Sequence, residues 1–224
     1  MVQRRAGADD SALQRAVIFD FDGTIADSLP AILAVFEDLT GHSVKHFSDD
    51  EIDQMRDLSP LELMKLLEVP KWKAPYLLLR GRQLLRAHMH GIAVHDGMAD
   101  TIKALHKKGV PLYVLSSNST DNVTSYLKWH KLHEYFAGVH GGASIFAKAP
   151  GLLKLIKGEN VSVSDSWYVG DETRDVTAAK LVGLQVASVT WGFNTRRALV
   201  AKEPSAVVDT AKELDTVLKD VWKK

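Results

Sequence analysis

Short, mostly apolar runs separated by amphipathic stretches set the pattern of this chain. Ala16–Phe19, Val110–Leu115, Ala137–His140, Trp167–Val169, Val186–Val189 and Ala206–Val208 are too brief for helices. Near-continuous apolar runs of this length are the mark of strands buried on both faces, as in a parallel sheet covered by helices. Between them the spacing predicts helices. Met98–Lys108 stops at Gly109, and a second helix capped by Thr120 or Asp121 runs to about Trp129. A third begins at Pro150 and continues through Lys157, and Thr173–Val182 stops at Gly183. Strands alternating with helices predict an α/β fold with a Rossmann-like parallel sheet.

From Leu29 to about Ala93 the alternation is absent, and no segment has a strand pattern. Four amphipathic helical stretches stand there instead, near Pro30–Leu39, Asp49–Arg56, Pro60–Leu67 and Ala74–His90. Ser48 and Ser59 each precede a glutamate by three residues, Glu51 and Glu62, so two capping boxes are expected. Ile32, Leu33, Val35 and Phe36 mark one apolar face, and Leu61, Met64 and Leu67 another. The expected organisation is a sheet domain formed by residues 1–27 and 96–224, with an all-helical cap domain of residues 28–95 inserted after the first strand.

Lys and Arg together number 28 and so do Asp and Glu, giving no net charge and no general electrostatic case for nucleic acid or an anionic membrane. The chain has no cysteine, which excludes disulfides and thiolate chemistry and suits a reducing, cytoplasmic setting. Met1–Arg15 lacks the apolar stretch of a secretory signal and is expected to be a loosely held tail. No apolar segment approaches the ~18 residues that a membrane span requires. The expected partner is a small molecule, with the chain a monomer or homodimer.

Candidate chemistry collects at the carboxyl ends of the predicted strands. Asp20 and Asp22 follow the first, with Gly23 and Thr24 turning the chain. Ser116, Ser117 and Asn118 follow the second and offer hydroxyl, amide and backbone donors to a phosphoryl oxygen. Lys148 lies just before the Pro150 helix, and Gly170-Asp171-Glu172-Thr173-Arg174-Asp175 forms a carboxylate-rich strand-to-helix turn. Parallel strands gather their carboxyl ends along one rim, where open α/β sheets bind ligands. The result is a set of hard oxygen donors suited to Mg²⁺, with a cation opposite.

In these four elements the chain resembles the haloacid dehalogenase-like phosphohydrolase superfamily. Asp20–Thr24 matches its DxDGT motif, Ser116 its Ser/Thr motif, Lys148 its lone lysine and Gly170–Asp175 its GDxxxD motif. The helical insert is similar to the cap of phosphoglycolate phosphatase-like and β-phosphoglucomutase-like members. The resemblance implies a Mg²⁺-dependent phosphatase acting on a small phosphorylated metabolite, phosphoglycolate or a sugar phosphate, through an aspartyl-phosphate intermediate. It casts Asp20 as nucleophile and Asp22 as general acid and base. Mg²⁺ would be held by the Asp20 carboxylate, the Asp22 backbone carbonyl and Asp171, with Asp175 in support. Lys148, Thr24, Ser116, Ser117 and Asn118 would receive the phosphoryl oxygens. A phosphomutase would share this core. A dehalogenase would need neither Asp22 nor a cation, and a non-catalytic binding protein would not be expected to retain every motif residue.

Other groups have plainer readings. His88, His90 and His95 do not make a zinc site, because the first two point to different faces of one helix. The five tryptophans are expected in the core or an interface, and Lys71-Trp72-Lys73 in a solvated loop. Arg56 is the first choice for a specificity residue of the cap, and Glu172 is either an additional metal-shell carboxylate or solvent-facing.

Overall fold

The structure, a computed structural model, describes residues 13–40, 47–58, 60–66, 91–144 and 147–221, together with scattered positions between 68 and 86. Six strands form one parallel sheet: β1 (Val17–Phe19), β2 (Leu112–Leu115), β3 (Gly138–His140), β4 (Trp167–Gly170), β5 (Gln185–Val189) and β6 (Ala206–Val208). Their spatial order is β3-β2-β1-β4-β5-β6. β1 therefore lies between β2 and β4, with Val17 opposite both Leu112 and Trp167. The chain winds outward from β1 in one direction, crosses back, and winds outward in the other. The crevice for a ligand opens at that reversal, above the carboxyl ends of β1 and β4.

Alternation along each strand builds two cores. Val17, Phe19, Leu112, Val114 and Val169 point to one face, where they meet Met98, Ile102 and Leu105 of α4 (Met98–Lys107). Val123, Tyr126 and Leu127 of α5 (Thr120–Trp129) and Leu214 of α9 (Ala211–Val217) complete that layer. Ala16, Ile18, Tyr113, Leu115, Tyr168 and Val186 face the other way, onto Leu152 and Leu155 of α6 (Ala149–Gly158) and Val176 and Ala179 of α7 (Thr173–Val182). A sheet covered on both faces needs the uninterrupted apolar runs that the sequence carries.

The predicted elements stand with small changes of boundary. The second strand starts at Leu112, since Val110 and Pro111 are spent reaching it from the left-handed turn at Gly109. The cap of α5 is Ser119, one residue before the expected Thr120 or Asp121; its hydroxyl accepts from the Asn122 N–H. α8 (Arg196–Val200) and α9 were not anticipated, and both begin on a threonine cap, Thr195 and Thr210.

Within the insert, α1 (Leu29–Thr40), α2 (Asp49–Arg56) and α3 (Pro60–Leu66) match three of the expected helices. Both halves of the Ser48–Glu51 capping box form. Ser59, His88, His90 and most of the Ala74–His90 stretch lie outside the described residues, as do Met1–Ala12 and Trp222. Trp167 is buried as expected, but Trp72 and Trp129 are 76% and 59% exposed on this chain. Among the described residues no helix is long and apolar enough to cross a membrane.

Candidate active site

β1 ends at Phe19, so Asp20 emerges at the reversal point of the sheet, held in line by its N–H donating to the Val169 carbonyl at 2.8 Å. β4 ends at Gly170, which delivers Asp171 beside it, and the first turn of α7 turns Asp175 back towards the strand. One carboxylate oxygen from each of Asp20, Asp171 and Asp175 lies within 4.8 Å of the others, and all three residues are buried. The glycines around them make that approach possible. A Cβ on Gly170 would stand 2.4 Å from Asp175 Oδ2, and one on Gly192 or Gly23 would stand 2.3 Å from Asp171 atoms. Gly23 also adopts φ +76°, which permits the tight turn after Asp22.

Lys148 enters from below as the residue preceding α6. Its ammonium, fully buried, donates to Asp20 Oδ2 and Asp175 Oδ1 at 2.5 Å each. The Lys148 Nζ also lies 5.5 Å from the centre of the Tyr168 ring, whose hydroxyl reaches Asp175 at 3.5 Å. Asp171 accepts from the Thr24 hydroxyl on one oxygen and from the Phe193 N–H on the other, both at 2.7 Å. Thr24, expected to face phosphate, directs its hydroxyl to Asp171 here.

Electrostatics follow from this crowding. Burial pushes the Asp20 carboxyl up to about 7, with Asp175 adding to the rise and Lys148 opposing it. Burial likewise lifts Asp171 well above the carboxylate range, helped by Glu172, Asp20 and Asp175 and resisted by the Phe193 N–H. For Lys148, burial works against the charge, but Asp175 and Asp20 outweigh it and the ammonium is held above its usual value. Ionised together, three carboxylates facing one ammonium would leave two negative charges uncompensated in a buried place; that cost is what raises Asp20 and Asp171, and a divalent cation would match it. The donor set therefore fits Mg²⁺, an oxygen-seeking ion.

Asp22 stands two residues beyond Asp20, its Oδ1 shielded from solvent and without a hydrogen-bond partner, while Asn118 Nδ2 approaches its Oδ2 at 3.5 Å. Burial raises its carboxyl above the usual value, with the Ser28 hydroxyl and then the Asn118 amide opposing. Ser116 is buried at the end of β2, and its hydroxyl accepts from the Asn118 N–H at 2.9 Å. Asn118 in turn is fixed by Asn122 and by the Ser119 N–H. The turn of Ser116, Ser117 and Asn118 thus lies on the same rim as Asp20 and Asp22. Glu172 pairs with Arg174 in a two-pronged ion pair at 2.8 and 2.5 Å, so its charge is met within its own turn.

Sequence reasoning missed the loop after β5. Gly192, Phe193 and Asn194 line Asp171: the Asn194 N–H donates to the Asp171 carbonyl at 3.3 Å, and its side-chain oxygen accepts from Thr173 N–H at 2.6 Å. Trp191 Nε1 donates to the Thr24 carbonyl at 3.2 Å. Its one available signal was position, directly after the fifth strand on the ligand-binding edge.

Known proteins with the same features bear on this reading. A family model described as haloacid dehalogenase-like hydrolase matches residues 17–189. A phosphoglycolate phosphatase of Synechococcus elongatus is 36% identical over 205 residues, covering 89% of this chain and 95% of that protein. A phosphoglycolate phosphatase of Vibrio vulnificus is 29% identical over 221 residues, covering 91% and 96%. Among solved structures, a haloacid dehalogenase-like family hydrolase of Streptococcus pneumoniae superposes with a TM-score of 0.75 at 20% identity over 92% of this chain and 99% of that one. The acid cluster, the parallel sheet and these matches agree: the chain belongs to the haloacid dehalogenase-like hydrolases, in the group related to phosphoglycolate phosphatases with a helical cap, and is a phosphoric monoester hydrolase.

Proposed function

We propose that the chain hydrolyses a small phosphorylated carboxylate or sugar, phosphoglycolate first among them, with Mg²⁺ bound and through an aspartyl phosphate on Asp20. The observation that carries this reading is the buried cluster of three carboxylates and one lysine at the sheet reversal, with the unpartnered Oδ1 of Asp22 beside it. Asp20, Asp171 and Asp175, with the backbone carbonyl of Asp22, would hold the cation. Bound there, it supplies positive charge that lets an anionic nucleophile meet an anionic phosphate.

The remaining steps belong to side chains of this chain. An Asp20 oxygen attacks phosphorus, and the bond from phosphorus to the ester oxygen breaks. Asp22 gives its proton to the departing alkoxide, a task suited to a carboxyl whose burial keeps it protonated to higher pH. Asp22, now ionised, takes a proton from water. That water's oxygen attacks phosphorus, the Asp20–phosphorus bond breaks, and inorganic phosphate leaves. Lys148 holds the orientation of the nucleophile through Asp20 Oδ2. Ser116, Ser117 and Asn118 receive the non-bridging oxygens, the positioning that dominates phosphoryl transfer. Residues 28–95 form the cap that closes over the leaving group and excludes water from the first step.

A screen of phosphate monoesters that includes phosphoglycolate, run with Mg²⁺ and with EDTA, tests the reading. Turnover of at least one small ester that EDTA abolishes is expected. Turnover unaffected by EDTA would overturn the metal's role, and formation of an isomerised sugar phosphate in place of free phosphate would reassign the chain as a mutase.

A further inference from the structure

The loop from Trp191 to Thr195 is gripped on two sides. Its inner side holds Asp171, through the Phe193 N–H on the carboxylate, the Asn194 N–H on the carbonyl, and Gly192 packed where no Cβ fits. Its outer side is held by the last residue of α2 and the residue that caps it. Arg56 Nε donates to the Phe193 carbonyl at 2.8 Å and Nη2 donates to the Gly192 carbonyl at 3.0 Å. Asn194 Nδ2 donates to the Arg56 carbonyl, and the Thr195 hydroxyl donates to Asp57 Oδ1. Arg197 completes the fastening with two bonds to Asp57 Oδ2, at 2.5 and 3.2 Å.

The peptide unit joining Gly192 to Phe193 is thus bonded to the insert through its oxygen, while its own N–H, that of Phe193, points at Asp171. A guanidinium fork reading two successive carbonyls fixes both the position and the tilt of such a segment. We propose that Arg56, together with Asp57, is a positioning residue for Asp171: docking of α2 on the Trp191–Thr195 loop sets the Phe193 N–H against the carboxylate, so the helical insert and the cation site are energetically coupled. This rests on the Mg²⁺ reading of the site given above. Arg56 acts through the loop and does not touch substrate. Coupling of this kind requires that the same contacts favour both the docked insert and the bound ion, and its effect is reciprocal.

The test follows the unfolding temperature of the full chain against MgCl₂ concentration, without substrate. In the wild type Mg²⁺ raises the temperature with a defined midpoint. Arg56→Ala is expected to move the midpoint about tenfold higher, the low end of what losing an outer support of a metal ligand costs. Arg56→Lys recovers part of the shift, since an ammonium bonds one carbonyl at a time. Asp57→Asn moves it less, in the same direction. Arg196→Ala, which breaks an exposed pair with Asp209, leaves it unchanged. A wild type whose unfolding ignores Mg²⁺ would remove the metal reading itself. A wild type that responds while Arg56→Ala and Asp57→Asn keep its midpoint would overturn the coupling alone. The coupling also fails if Arg56→Ala raises the KM for a phosphate ester with the Mg²⁺ midpoint unmoved, because Arg56 would then be contacting substrate. Should Arg56→Ala not fold, Asp57→Asn decides by the same criterion.

Discussion

In the sheet domain every group of the carboxylate–lysine cluster is held by burial: Asp20, Asp171, Asp175 and Lys148 are all at most 3% exposed. In the helical insert α2 is fastened differently: the contacts that hold its two ends are polar and partly exposed. The Ser48–Glu51 box starts α2, and Arg56 and Asp57 tie its end to the sheet domain. The contrast shows two ways of placing charge. Buried charges are costly and therefore rigid and mutually dependent, while surface contacts cost little to break and re-form. A reaction centre benefits from the first, and a segment that must open for substrate benefits from the second.

The sharpest way to break this contrast is to neutralise Asp20, the proposed nucleophile. Asp20→Asn is expected to lower turnover of any ester substrate by roughly 10⁶-fold, the scale of removing a covalent catalyst, with the circular dichroism spectrum unchanged. Wild-type turnover would take the nucleophile's role from Asp20. Next comes Lys148→Met, which leaves Asp20 and Asp175 facing each other without their ammonium. It should cost about 3–5 kcal/mol of unfolding free energy, measured in urea. A loss below about 1 kcal/mol, the range of exposed pairs, would mean that the cluster behaves like a surface network.

Acidity separates the two regions by sign. Burial raises the folded-state Asp20 carboxyl to about 7 against an ordinary 3.8, so the folded chain holds that proton more tightly than the unfolded one. Its contribution is fully present below 3.8 and is lost as pH climbs through about 7. In EDTA, the advantage of Asp20→Asn over wild type in unfolding temperature should therefore grow from pH 4 to pH 7. At Asp57, burial raises the carboxyl, but hydrogen bonds from Thr195 and Arg197 overcome it and the net shift is downward. That contribution is present above the unfolded value and is lost as pH falls through the lowered one. The penalty of Asp57→Asn should accordingly be larger at pH 7 than at pH 4. A matching trend at both sites would erase the distinction.

The smallest effect belongs to the start of α2. Ser48→Ala removes both the cap on the Glu51 N–H and the hydroxyl partner of its carboxylate, leaving the residue 48 N–H as the other. It should cost about 1 kcal/mol. Amide hydrogen exchange should quicken in α2 and stay unaltered in β1 and β4. Equal acceleration in the strands would show that the insert and sheet open as one unit.

Much of this molecule was legible before its structure. β1 and β4 announce themselves because buried parallel strands must be apolar throughout, and the acids at their ends are out of place unless they work. Strand order was not legible, because apolar runs say which segments form strands but carry no record of which strands pair. The Trp191–Thr195 loop was silent for another reason: it supports Asp171 with backbone N–H groups, which every residue but proline owns. Arg56 was read as a specificity residue because a cation in a cap invites that; what the sequence hid is that, besides Asp53 on its own helix, it bonds two carbonyls more than 130 residues away. The pairing of Glu172 with Arg174 was hidden in the same manner, two charges whose directions depend on the turn they share.

The central place of β1 also has a consequence for synthesis on the ribosome. One neighbour of Val17–Phe19 is residues 112–115, and the other is residues 167–170. As the chain emerges, the first strand gains one partner only after half the protein has been made and the second after three quarters. Until then an apolar ribbon ending in a carboxylate has an open edge, the kind of surface that recruits stray chains. Nascent fragments ending before Gly170 should consequently depend on holding chaperones, and translation speed through that window should govern the soluble yield.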